Sequence, residues 1–339
     1  MSYKRFDQED VVVSAEAVTA PLWTGDITTL SYFFTSSTQV GGASADYYYD
    51  IYQTASTDEA ARVQFSIAYA DKKGSGSVAF NSSVSGKSPS STVYGQYRNL
   101  VLGDEDTDFS FGADSSEYFY VLAIDRARYK EKLLPGTMEL VLEKSGSGEK
   151  IVLTDNSKQV STVSFNDAGR VFELVSGSLG TVNTDVNENG YTDGSGSYGK
   201  LLPDVGVILL NGKALDAASA AGGLGMSINR DTDGTGNLAS LYDIFAYSGS
   251  FRIQSEETIT SNFVFVRARN SEFNYSTNPS LITGSGELRH NVMIDSPQSY
   301  ITAVGLYNDN NDLLAVAKLS RPLLKDFTKE TLVRIKLDY

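Results

Sequence analysis

The stretch Thr331-Leu332-Val333-Arg334-Ile335-Lys336-Leu337-Asp338-Tyr339 places Thr331, Val333, Ile335, Leu337 and Tyr339 on one face and Leu332, Arg334, Lys336 and Asp338 on the other. A period of two over that length is the mark of an extended strand with one face packed and one solvated. A strand needs neighbours, and the residues upstream supply them. Asn262 to Arg269, with the β-prone run Phe263-Val264-Phe265-Val266, leads into the polar, aromatic loop Asn270 to Pro279. Tyr300 to Tyr307, the turn formers Asn308-Asp309-Asn310-Asn311-Asp312, and Leu313 to Leu319 read as a hairpin. Residues 251–339 are therefore expected to form a C-terminal β domain.

The rest of the chain repeats the same vocabulary. Tyr47 to Tyr52 is a β-prone aromatic run, and Val63 to Tyr69 alternates cleanly before the turn Gly74-Ser75-Gly76. Tyr118 to Ile124 reads as a buried strand running into Asp125 to Lys132, where a helical turn or two is expected. Met138 to Glu143 and Ile151 to Thr154 make a hairpin about Ser145-Gly146-Ser147-Gly148. Val205 to Leu210 has no polar alternation and predicts a strand buried on both faces, stopped by Asn211-Gly212. Ala214 to Ala221, ended by Gly222-Gly223, is the strongest helix candidate. The expected fold is mainly β: two β-rich, sandwich- or barrel-like domains with few short helices. Residues 1–20 are expected as an N-terminal arm and 21–250 as the main domain, with a division near 157.

Composition removes several kinds of chemistry. Cysteine is absent and His290 is the one histidine, so thiolate nucleophiles and His- or Cys-rich metal centres have no residues to build on. With 28 Lys and Arg against 42 Asp and Glu the chain carries -14, which disfavours polyanionic partners; nucleic acid and membrane are not expected. No secretory leader is read at the start, so a cytoplasmic site of synthesis and assembly is expected. Twenty tyrosines supply large amphipathic contact faces.

Among candidate sites, Asp185-Val186-Asn187-Glu188-Asn189-Gly190-Tyr191-Thr192-Asp193 follows the first half of a calcium loop. Position twelve falls on Gly196, where the bidentate carboxylate should stand. Polar turns explain the segment; Asp185, Asn187, Asn189 and Asp193 stay as calcium candidates, and no other cofactor is expected. His290 reads as a surface or packed residue at the start of a strand, and the acidic run Asp104 to Asp108 as a solvated loop. Interface chemistry is better represented. Arg267, Arg269, Phe273, Asn274 and Tyr275 gather guanidinium and ring faces in one loop, and Tyr3, Arg5 and Phe6 do so in the arm.

Phe263 to Pro279 and Thr302 to Pro322, with Tyr94 to Leu100 and Asp125 to Gly136 upstream, resemble virion structural proteins of contractile-tailed phages, in particular those of marine and cyanobacterial hosts. The resemblance implies a place in the particle, at the tail, baseplate or neck, and no catalytic residues. It implies other virion proteins and further copies of the chain as partners, in a virion put together in the host cytoplasm. A carbohydrate-binding fibre or capsid decoration protein is the alternative expectation, and a virion-associated glycan hydrolase a more distant one.

Overall fold

A computed structural model describes residues 4–36, 48–77, 80, 83, 88–183, 196–230, 236–276 and 278–338. The first part of the chain gives β1 (Val11–Pro21), β2 (Thr29–Leu30), β3 (Phe34–Thr35), β4 (Tyr49–Tyr52), β5 (Val63–Asp71), α1 (Pro89–Leu102), β6 (Phe109–Phe111), β7 (Asp114–Ser116) and β8 (Tyr118–Ile124). Then come β9 (Lys132–Glu143), β10 (Lys150–Asp155), β11 (Ser164–Asn166), β12 (Gly169–Ser178), β13 (Thr181–Val182), β14 (Gly199–Leu202), β15 (Val207–Asn211), α2 (Gly212–Asp216) and α3 (Gly236–Ser248). The last part holds β16 (Ser250–Ala268), α4 (Val292–Asp295), β17 (Ser299–Tyr307), β18 (Leu313–Lys325) and β19 (Thr331–Asp338). The fold is mainly β.

Two compact units share this chain: residues 18–257, and residues 1–17 with 258–339. The expected arm at 1–20 and boundary at 250 are thus displaced. Val11–Pro21 is a strand beside β16, and β16 itself runs 19 residues through the expected boundary. Glu256 and Glu257 sit within this strand, on opposite faces, and are ion-paired with Lys132 at 3.8 Å and Lys130 at 2.6 Å. Nor does the chain divide near 157, because β10 before that point pairs antiparallel with β12 after it, Asp155 opposite Leu174.

In the larger unit the strand path runs β16-β9-β10-β12-β14-β15-β8-β5-β4-β3. Residues 29–35 bring it back on itself, since β2 pairs with β16 at Leu30 and Phe251 while β3 pairs with β4 at Phe34 and Tyr52. Both faces of the middle strands are covered, which is why β15 is buried at every position. Ile208 and Leu210 of β15 join Tyr120 and Leu122 of β8 in one core; Val207 and Leu209 join Phe119 and Val121 in the other. At roughly 25 cal/mol per Å² of apolar area, such double cover is the main stabilising term of the unit.

The first core is aromatic. Trp23 lies 5.0 Å from Phe251 and donates its indole N–H to the Phe251 carbonyl at 2.9 Å, and Phe65 meets Phe245 and Phe251 at 5.6 Å each. Helix α3 closes this side with Leu238, Leu241 and Phe245, spaced at three and four residues. Helix α1 closes the other with Val93, Tyr94 and Val101. Its limits are set by Pro89 in the first turn after Ser88, and by Gly103, whose φ of 63° ends the helix in the left-handed region. A side chain at Gly103 would also strike the Asp167 carboxylate.

The smaller unit is built differently. β16 pairs with β19 from Ser261 opposite Asp338 to Ala268 opposite Thr331, and the β17–β18 hairpin supplies the second layer. Val264, Leu306, Val333 and Ile335 are its buried cluster, with Val304, Ala315, Ala317 and Leu319 packed around them. The alternation read from Thr331 to Asp338 is the packing observed: Val333 and Ile335 are buried, Leu332, Arg334 and Lys336 exposed.

Candidate functional site

Most of the expected contact residues lie in the smaller unit, where the loop after β16 is held by a buried lysine. Lys325, fully buried at the end of β18, donates to Asn274 Oδ1 at 2.6 Å, the Asp326 carbonyl at 2.9 Å and the Asn270 carbonyl at 3.1 Å. Asn274 Nδ2 closes the loop by donating to the Asn270 carbonyl at 2.7 Å. The Ser299 hydroxyl donates to the Phe273 carbonyl from the start of β17. Asn274, expected as a contact residue, is thus an internal anchor, 2% exposed. A buried ammonium requires acceptors, and this loop supplies them.

So anchored, the loop turns its rings outward. Phe273 is 36% and Tyr275 58% exposed. Phe273 has a φ of 53°, a left-handed conformation that costs a non-glycine residue on the order of 1 kcal/mol or more.

The N-terminal residues meet the same loop through Lys4, a residue that no sequence pattern singles out. Its ammonium donates to the Arg267 carbonyl and lies 3.5 Å from the Glu272 carboxylate. Arg5 and Phe6 follow it on the surface, both exposed. Glu272 accepts from the Arg269 backbone N–H at 2.9 Å; that bond, with the Lys4 charge beside it, holds the carboxyl below the usual range. Arg267 is ion-paired with Glu330, whose carboxyl is held low by it, while the Arg269 residue is exposed. The two expected contact segments therefore form one surface. Tyr3 and the calcium candidates Asp185, Asn187, Asn189 and Asp193 lie outside the described residues.

Other sequence candidates resolve as local structure. His290 is exposed and precedes α4 rather than starting a strand; its carbonyl accepts the Met293 N–H at 3.0 Å. Asp104 accepts the Asp106 N–H and the Thr107 hydroxyl within its own loop. Among the described residues no group of three potential metal ligands comes together.

The larger unit has a cavity of about 570 Å³ between α1 and the sheet, lined by Ile67, Val93 and Val121 and by Tyr48, Ser66 and Tyr97. Burial holds the Tyr97 phenol above its ordinary value. No carboxylate or imidazole is among the residues lining it. An ion network around the buried Asp71 ties the end of β5 to residue 230: Arg230 reaches Asp71 at 3.0 Å and Glu117 at 2.9 Å, with its guanidinium 4.4 Å from the Tyr118 ring centre. Asp71 also accepts the Lys73 N–H at 2.8 Å, so the network is a structural clamp.

The surplus of exposed apolar side chains sets the smaller unit apart. Among its described residues fifteen large hydrophobics are exposed, including Val13 at 65%, Tyr300 at 63%, Leu314 at 68% and Leu332 at 63%, against four buried ones. The larger unit reverses that ratio. Charge divides as sharply: residues 18–257 hold 17 basic and 30 acidic residues, a net of -13, and the remainder 11 and 12, a net of -1. A near-neutral unit with more large apolar side chains exposed than buried is suited to association.

Compared with known proteins, the chain matches no family model, no curated protein and no solved structure. The class defined here is a mainly β protein of two units, one acidic with a full core and one near-neutral with a small core.

Proposed function

We propose that the chain is a structural subunit of a contractile-tailed phage particle, at the tail, baseplate or neck, acting through protein–protein contacts of its smaller unit. The observation that carries the reading is that unit's surplus of exposed apolar side chains over buried ones. A core of four fully packed side chains is small for about a hundred residues, and a partner surface would complete it. The loop bearing Phe273 and Tyr275, held by Lys325 and flanked by Arg267, Arg269 and Phe6, supplies ring and guanidinium groups of the kind that anchor interfaces. The resemblance of Phe263 to Pro279 and Thr302 to Pro322 to virion structural proteins gives the particle its kind, and the acidic larger unit keeps neighbouring copies apart except where the smaller units meet.

Mass spectrometry of gradient-purified particles tests this. The chain should be present at a fixed copy number per particle. Its presence in infected-cell lysate with absence from purified particles would overturn the proposal.

A further inference from the structure

The smaller unit has two strands with an open edge. β1 and β19 each have β16 as their one strand neighbour among the described residues, so the other row of backbone N–H and C=O groups on each is unpaired with strand. β1 is exposed at every position from Val11 to Ala20, with Val12 at 49% and Val13 at 65%. Proteins usually protect long edge strands with inward charges, prolines or cover, and Val11 to Ala17 carries a single charge, Glu16.

The two edges have opposite character. Residues 7–17 contain Asp7, Glu9, Asp10 and Glu16 and no lysine or arginine. β19 presents Arg334 and Lys336 on its exposed side beside Leu332, with Asp338 at the end of the row 3.1 Å from Lys336, which leaves that side one positive charge in excess. Two copies of the β1 edge would set acid against acid, and two of the β19 edge base against base. The unlike edges match in charge and in exposed apolar residues.

We infer that β1 of one copy pairs edge to edge with β19 of the next, continuing the sheet of the smaller unit from copy to copy. The inference rests on the reading of the chain as an assembly subunit and deepens it. Such a contact uses different surfaces on its two sides, so repetition gives a closed ring where the rotation closes and a filament where it does not. Backbone hydrogen bonds supply the continuity and the charged side chains the choice of edge.

The absence of cysteine from the chain makes the test direct. Unlabelled V13C protein is mixed with isotopically heavy L332C protein under assembling conditions and treated with a short bis-maleimide. Both positions are exposed, so folding should be preserved; Trp23 fluorescence and circular dichroism check it. The expected product joins a light chain through position 13 to a heavy chain through position 332. Predominant V13C–V13C products, assembly that leaves both positions unlinked, or a chain that stays monomeric at its solubility limit would each overturn the inference.

A second arm uses charge. R334E with K336E should shift sedimentation to smaller species, and adding D10K with E16K should restore the larger ones. Folded variants that sediment like the parent would also overturn it. A chain found in purified particles but giving no 13-to-332 link removes only the edge pairing; absence from particles removes the assembly reading on which it rests.

Discussion

Replacing Lys325 by Met probes the link between the fold of the smaller unit and the surface it presents. The methionine keeps the apolar stem and removes three donated hydrogen bonds, of 2.6, 2.9 and 3.1 Å. Asn270 keeps the 2.7 Å bond from Asn274 Nδ2, but Asn274 Oδ1 is left without its donor on a residue 2% exposed. Bonds to a charged group are worth about 1.5–3 kcal/mol each, and releasing a buried ammonium returns several kcal/mol. A net loss of about 2 kcal/mol follows, roughly a 10 °C fall in Tm for a unit of this size. Calorimetry would read that loss, and hydrogen exchange should accelerate in residues 270–276, while Trp23 fluorescence in the larger unit stays as in the parent. An unchanged Tm together with unchanged exchange in the loop would refute the anchoring role of Lys325.

Three further outcomes are expected. F273G should relieve the left-handed φ of 53°, raising the Tm of the smaller unit by a few degrees, or about 1 kcal/mol, while weakening association measured by sedimentation; unaltered association would count against the loop as a contact surface. F65A, at a fully buried ring 5.6 Å from both Phe245 and Phe251, should cost about 3–5 kcal/mol in urea unfolding followed by Trp23 fluorescence, and a loss under 1 kcal/mol would contradict the core described. The carboxyls of Glu272, Glu330, Asp326 and Asp338 are held below their ordinary values by, in turn, the Arg269 N–H, Arg267, the Thr328 hydroxyl and the Ser261 hydroxyl. Their stabilisation is complete above the ordinary values of 4.5 for Glu and 3.8 for Asp and is lost as pH falls below them, so the Tm of the smaller unit should decline in acid and show no dependence on these groups near neutrality.

The sequence was readable where local pattern and burial coincide. Thr331 to Asp338 alternates because a single layer packs on one of its faces, and Val207 to Leu210 is continuously apolar because two cores flank it. The β9–β10 hairpin follows from its glycine turn, with Leu140 opposite Leu153. Helix α1 was not legible from residue types: Val93, Tyr94, Tyr97 and Val101 favour strands, and Gly95 interrupts them. The sheet face of Phe119 and Val121 needs cover, and Pro89 and Gly103 mark the helix ends. Ala214 to Ala221, the expected helix, is instead the five-residue α2 followed by a single 3-10 turn at Ser219–Ala221, because Asn211 caps the first and Ala217 turns extended. Arg126–Arg128 is likewise one 3-10 turn, after which the chain is already extended at Lys132.

For the candidate surface, the aromatic and arginine content of 267–275 pointed to the right loop, but the burial of Asn274 depends on Lys325, 51 residues away. A signal did exist. The period of two through Ala315, Ala317, Leu319 and Leu323 puts Lys325 on the inward face, where a lysine demands acceptors. Lys4 gave no such sign, since its partners are a backbone carbonyl and Glu272, brought to it by the fold.

Hydrogen–deuterium exchange on the free chain and on the chain within purified particles tests the central claim, that the smaller unit makes the contacts. Protection should rise in residues 11–17, 270–276 and 331–338 on assembly. Protection gained only within residues 18–257, with those three segments exchanging as in the free chain, would contradict it.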